Sequence, residues 1–288
     1  MLKRHTALLL VLISGLTSLI ATPSFALTLG IEPSVLEKYR LFLADRDPLT
    51  IDDYSGQYSH RGVAEVILIQ KALKLGGLDE KIEFKIGPNY ARLLKQLQTG
   101  DLDVLANSAW LSNLENNIGD FYVSDAVIRD GQFEAGLYTL STRDDLQSVR
   151  SLAQIRTLSA VSNKHWHSDW QTLSALKLVK LYNVAKWSSM LDMVRVQRAD
   201  FLLAPFQVTP DLSFTNQDDV FVPIAGIKLG LRGSRHFVVS RHIPRADSFY
   251  LMLQKGVKQL HEQGEFDKAY RESGFYNPQV ASWTKISP

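Results

Sequence analysis

Short apolar strands alternate with amphipathic helices along most of the chain, and this alternation limits the possible folds more than any other feature. Leu27 to Ile31 is apolar and strand-like. Arg61 to Leu75 carries apolar residues at 63, 66, 67, 69 and 73, mostly at helical spacing, and stops at Gly76-Gly77. Lys81 to Ile86 alternates as a strand. Asn89 caps the next helix, which has Leu93, Leu94 and Leu97 on one side and ends at Gly100. Leu102 to Ala106 is the following strand. Such a β-α-β-α-β run predicts a parallel sheet covered on both faces.

A second series follows Glu134 to Leu140. Ser148 opens a helix, Thr157 to Val161 is a strand, and His165 to Leu176 is helical. Lys180 to Asn183 is a strand, Lys186 to Arg198 a helix, and Asp200 to Ala204 a strand. Arg235 to Ser240 reads as a strand, followed by a long amphipathic helix from Ala246 to Gln263. Two α/β halves of similar size result, with no sequence repeat or low-complexity linker between them. Glu32 to His60, rich in charge, Tyr and Asp, is the one long stretch without a pattern. Gly226 to Gly233 is glycine-rich and basic but lacks phosphate-loop spacing, so a hairpin or loop is expected there.

The first residues carry an address. Lys3 and Arg4 precede an uncharged apolar run from Ala7 to Ile20, too short to span a membrane, and small residues Ser24 and Ala26 follow. This pattern predicts a signal peptide cleaved after Ala26 and an exported mature chain of residues 27–288. The formal charge of +2 comes from Lys3 and Arg4; without them basic and acidic residues number 30 each. A formally neutral mature chain does not suit nucleic-acid binding, which usually shows a basic stripe. The chain has no cysteine, which excludes disulfides, thiolate metal sites, cysteine nucleophiles and a lipid-modified N-terminal cysteine, and fits a periplasmic location.

Tyr90 to Ala106 resembles the helix–Gly–strand step of type II periplasmic solute-binding proteins, the extracellular solute-binding family 3. Phe121 to Asp125 stands where that family has its element before the first crossover. Arg198-Ala-Asp200-Phe-Leu-Leu matches the equivalent strand of the second lobe, and Val257 to Tyr270 resembles the closing helix–Gly–helix signature. The similarity covers residues 61–275 in matching order. It implies an α/β, two-lobed fold, each lobe a mixed, mostly parallel sheet flanked by helices, with a ligand cleft between. By the same resemblance, lobe one comprises 27–132 plus 240–288 and lobe two 133–239. Crossings are then expected near Gly131 to Tyr138 and near Arg235 to Ser240. Strand ends and helix N-termini in such sheets are where ligands bind.

The pattern departs from the family where specificity is set. Amino-acid binders of the family place an Arg after the third strand for the ligand carboxylate, and Asn107 to Asn117 contains none. An acidic residue that would hold the ligand ammonium is replaced by Pro205 or Phe206. A buried ligand charge without a counter-charge costs several kcal/mol, roughly, so a standard amino acid is not the expected ligand.

The candidate ligand-binding residues lie at strand ends and around the cleft mouth. Asn107, Ser108 and Trp110 follow a strand end, although Trp110 suits packing against the next helix equally well. Asn163, His165, Trp166 and Asp169 gather at a helix start. Pro205 and Gln207 complete that wall. Tyr58, with His60 and Arg61, either closes the mouth from lobe one or lies in a solvated loop. Tyr138 either faces the cleft or packs in the sheet, and Arg92 is expected at the surface.

His165, His167 and Asp169 have metal-like composition but would share a face only in a strand, and a helix is expected here, so no metal is expected. No nucleophile elbow or nucleotide loop is present, and neither catalytic residues nor cofactors are expected. The leading expectation is a monomeric, non-enzymatic periplasmic protein. It captures a small polar or aromatic-bearing solute for an inner-membrane ABC-type transporter or a membrane sensor. The alternatives are a sensory or protein-interaction module with a degenerate cleft, and a dehydratase-like enzyme using His165 and Asp169.

Overall fold

The computed structural model describes residues 26–286; the expected signal peptide lies outside them except for Ala26. In chain order, β1 (Ala26–Ile31) is followed by α1 (Pro33–Leu43), α2 (Arg61–Gly76), β2 (Lys81–Ile86), α3 (Tyr90–Thr99), β3 (Val104–Leu105), β4 (Ala109–Trp110) and β5 (Phe121–Ile128). The middle of the chain forms β6 (Glu134–Leu140), α4 (Leu152–Ile155), β7 (Ser159–Ser162), α5 (His167–Leu176), β8 (Lys180–Asn183), α6 (Trp187–Arg195), β9 (Phe201–Ala204), β10 (Phe214–Asn216), β11 (Asp219–Pro223) and β12 (Ile227–Gly230). Then come β13 (Arg235–Ser240), α7 (Ala246–Glu262), α8 (Glu265–Glu272) and β14 (Thr284–Ile286).

The strands form two sheets, one per lobe. The first has the order β2-β1-β3-β13-β4 with β5 on β13, and the second the order β10-β11-β6-β9-β7-β8, with β12 joining β6 to β14. The sheets are mixed, but not mostly parallel as expected. Parallel pairing is confined to β1 with β2 and β3, β7 with β8 and β9, and β12 with β14. The strands next to the crossings run antiparallel. The reason is topological, because a crossing strand returns from the other lobe rather than over a helix.

Each sheet is covered on both faces. In the first lobe, Leu27, Leu29 and Ile31 meet α2 and α7 in the larger core, while Leu93, Leu97 and Val238 close the other face under α3. Two further clusters flank the second sheet, around Leu137, Leu173 and Phe201 and around Tyr138, Met190 and Phe221. Helix α2 is buried nearly all round because it lies between the sheet, α1 and α7. Its approach to α7 leaves no room for side chains: a Cβ on Gly256 would stand 1.8 Å from the Ala72 carbonyl oxygen. Helix α3 is capped by Asn89 and ends at Gly100, whose φ of 78° is left-handed.

One device is repeated in both lobes. The Asp103 carboxylate accepts from the Thr28 backbone N–H at 2.7 Å, and Asp200 accepts from the Ser159 backbone N–H at 2.8 Å. Each aspartate pins the neighbouring parallel strand.

Five local expectations are corrected. The stretch after Glu32 contains α1, which starts at Pro33 and buries Leu36, Tyr39, Phe42 and Leu43. Ser148 ends a 3₁₀ turn instead of opening a helix; α4 is capped by Ser151, in a capping box with Gln154. Gly226 to Gly233 contains strand β12, which pairs with β6. The strand expected as the second crossing, β13, lies within the first sheet, so that passage occurs at residues 231–234. Strand β14, expected in lobe one, pairs with β12 in the second sheet.

Candidate functional site

Between the sheets lies a cleft of about 800 Å³. Its first-lobe side is built by the N-terminus of α2, the β3–β4 segment and the start of β13; its second-lobe side by the β7–α5 segment and the loop after β9. All of these are strand or helix ends, where backbone groups and short loops bring side chains together.

The floor is organised around Glu65, which is fully buried one turn into α2. Its carboxylate pairs with the Arg61 guanidinium at 2.7 Å, accepts from the Ser108 hydroxyl at 2.7 Å and from the Ser108 backbone N–H at 3.1 Å. Burial alone would push this carboxyl up, but Arg61, Arg235 and the Ser108 hydroxyl outweigh it, and Glu65 sits below the ordinary carboxylate range. Arg235, 6% exposed, donates through Nε to the Ser108 hydroxyl at 2.9 Å and through Nη2 to the Ser108 carbonyl. Its guanidinium lies over the Trp110 ring at 4.9 Å from the centroid. Burial, then the nearby Arg61 charge, lowers Arg235 to about 10. Arg61 is flanked by the rings of Phe133 and Phe275, each 5.8 Å from its Cζ. The floor thus sets two guanidinium groups against one carboxylate and carries an excess positive charge.

His60 adds a fixed donor. It is the N-cap of α2, and its Nδ1 accepts from the Gly62 backbone N–H at 3.0 Å. Burial, then Lys38 and Arg61, lowers its pKa to about 4, so the ring is neutral at physiological pH. The proton therefore stays on Nε2, which is buried and has no partner.

The opposite wall has the complementary character. Asp169, in the first turn of α5, has its carboxyl raised to about 6 by burial. The neighbouring Ser168 hydroxyl is buried without a partner. Trp166 stands at the rim, 38% exposed, beside Trp187 at 6.2 Å between centroids.

Of the residues singled out in the sequence, His60, Arg61, Asn107, Ser108, Trp110, His165, Trp166, Asp169, Pro205 and Gln207 line the cleft. Three do not. Tyr138 is fully buried in the second lobe, its hydroxyl donating to the Leu212 carbonyl at 2.8 Å. Asn163 is turned inward, donating to the Ala185 carbonyl at 3.2 Å and accepting from the His165 N–H at 2.9 Å. Tyr58 lies in an exposed turn with φ of 67° and is absent from the lining. Among the described residues no group of three or more His, Cys, Asp or Glu is placed to hold a metal ion.

The counter-charge that the sequence lacks after β3 is supplied from elsewhere. Arg61 comes from the helix that follows the mouth loop, and Arg235 from a strand read as a crossing. Glu65 carried the one available signal, a charged residue between Val63-Ala64 and Val66-Ile67 on a buried helix. Such a charge needs partners.

The architecture is a two-lobed α/β fold of the periplasmic-binding-protein type, with its cleft between the lobes. No protein-family model and no curated protein matches the chain. Solved structures do. The probable amino-acid ABC transporter extracellular-binding protein ytmK from Bacillus subtilis superposes with a TM-score of 0.51 at 13% identity, covering 72% of this chain and 85% of that one. The second substrate binding domain of a putative amino acid ABC transporter from Streptococcus pneumoniae gives a TM-score of 0.50 at 16% identity, covering 73% of this chain and 88% of that one. At these identities the likeness is one of fold.

Proposed function

We propose that the protein is an exported, non-enzymatic solute-binding protein. It takes a small solute with an anionic group against Arg61 and Arg235 and closes its second lobe over the remainder. The excess positive charge at the floor carries this reading, since a buried guanidinium without a full counter-charge favours an anion as its partner. His60 Nε2 offers the same group a further hydrogen bond. Asp169 and Ser168 face it from the other lobe and suit a donor or cationic group on the solute, so zwitterions return to the candidates that the sequence set aside. The cleft volume falls within the range of about 300–1,000 Å³ usual for small-molecule sites. The two-lobed design suits hinge closure around the solute, and we propose that the closed form is then presented to an inner-membrane ABC-type transporter or a sensor. The described residues include no helix long and apolar enough to cross a membrane.

A thermal-shift screen of anionic, zwitterionic, neutral and cationic metabolites, with solution scattering of the hits, tests this reading. Stabilisation and compaction by an anionic or zwitterionic solute are expected. Stabilisation by cationic solutes only, or by none, contradicts it. In the second case the exposed Trp166–Trp187 pair favours a protein-interaction module instead.

A further inference from the structure

The chain passes between the lobes three times, where the family resemblance implied two. After α8, the segment Asn277–Ile286 leaves the first lobe and runs onto the second. Strand β14 pairs in parallel with β12, Thr284 opposite Ile227 and Ile286 opposite Leu229, and Ile286 is buried in the second-lobe core. The tail is fastened along its length. The Asn277 side chain donates to the Gln207 carbonyl at 2.8 Å, and Gln279 donates to the Thr209 carbonyl at 3.2 Å. Lys228 donates to the Val280 carbonyl at 2.8 Å. Lys285 pairs with Glu134 at 2.8 Å and donates to the Gly131 carbonyl at 3.2 Å, in the first crossing. Trp283 packs edge-on against Phe206, with centroids 5.5 Å apart.

These fastenings fall on the hinge and on the cleft wall. Phe206, Gln207 and Val208 line the cleft from the loop between β9 and β10, which has no sheet partner of its own. At its other end the tail continues from Gly274 and Phe275, which line the cleft from the first lobe. At the hinge, β14 extends the crossing strands to three adjacent ones, β6, β12 and β14. A wider hydrogen-bonded ribbon still bends about an axis across it but resists twisting, because twist strains its outer strands most.

We infer that Asn277–Ile286 is an interlobe strap that positions the Pro205–Val208 wall and restricts lobe motion to one direction of bending, with Trp283 and Lys285 as its positioning residues. This goes beyond solute binding and is testable without a solute, so it stands or falls separately from that reading.

The absence of native cysteine allows spin labels to be placed cleanly. Glu37→Cys with Gln171→Cys reports the distance between α1 and α5 across the mouth, and Glu37→Cys with Lys95→Cys reports a distance within the first lobe. Pulsed dipolar spectroscopy of the full chain should give one narrow interlobe distribution. In a chain ending at Tyr276 that distribution should broaden and gain a longer component while the intralobe distance stays fixed. Trp283→Ala with Lys285→Ala, in the full-length chain, should broaden it to a lesser degree and decides the matter if truncation prevents folding. A folded truncated chain or double variant with the full chain's interlobe distribution overturns the inference; so does equal broadening of the intralobe distance.

Discussion

The two faces of the cleft are built in opposite ways. On the first lobe, Glu65, Ser108 and the two arginines form a network in which the carboxylate is satisfied several times over before any solute arrives. On the second lobe, the Ser168 hydroxyl is buried with no partner, and the Asp169 carboxyl is pushed up by burial alone. The charged floor of one face is preorganised, with His60 Nε2 beside it lacking a partner, and the other face is left unsatisfied. The contrast separates the place where binding geometry is fixed in advance from the place where closure gains its interactions.

The contrast can be broken most severely at Glu65. Glu65→Ala leaves two arginines facing each other in a buried site, and removing one partner of a buried charge network costs about 3–5 kcal/mol. Urea denaturation should show the midpoint falling by a corresponding amount; a change below about 1 kcal/mol would show that the arginines are solvated and the floor is not preorganised.

Asp169 tests the opposite face, with the opposite sign. Its carboxyl is raised to about 6 in the fold against about 3.9 for a free aspartate. Between those values the folded chain holds a proton that the unfolded chain has released. Stability therefore falls as pH rises through this window and stays lowered above it. Asp169→Asn should stabilise the empty protein by about 1 kcal/mol at neutral pH, after discounting for its partial exposure, and by almost nothing near pH 4. Thermal melts across the window check this, and a destabilised Asn variant at neutral pH would mean that Asp169 has a partner in the empty protein.

Trp166 should show the smallest effect. At 38% exposure it contributes little to folding, so Trp166→Ala should shift stability by less than about 0.5 kcal/mol. The same change should weaken solute binding a few-fold if the rim closes on the solute, and not at all if the rim is idle.

The sequence made the scaffold more legible than the site. Strand and helix periods are local, so β1, α2, β2, α3 and α7 were readable to within a residue or two. Asn89 and Gly100 marked the ends of α3 correctly because caps are local as well. The errors arose where pairing is non-local. The alternating residues of Arg235–Ser240 identify a strand but not its sheet, and three residues of β14 give no periodic signal at all. The same limit applied to the cleft. Asn107 and Asp169 were found because a strand end or helix start announces itself. Arg235 was missed because only tertiary structure brings β13 beside Ser108. Tyr138 shows the converse: an aromatic residue in a strand has two faces available, and here it took the core.

The central claim is that the cleft binds a solute through an anionic group held by Arg61 and Arg235. Titration calorimetry of the strongest anionic or zwitterionic hit against the wild type and Arg235→Met tests it most directly, with circular dichroism confirming that the variant is folded. Losing a charge-assisted hydrogen bond of about 1.5–3 kcal/mol should weaken binding roughly 10- to 150-fold. Unchanged affinity in a folded Arg235→Met protein would contradict the account.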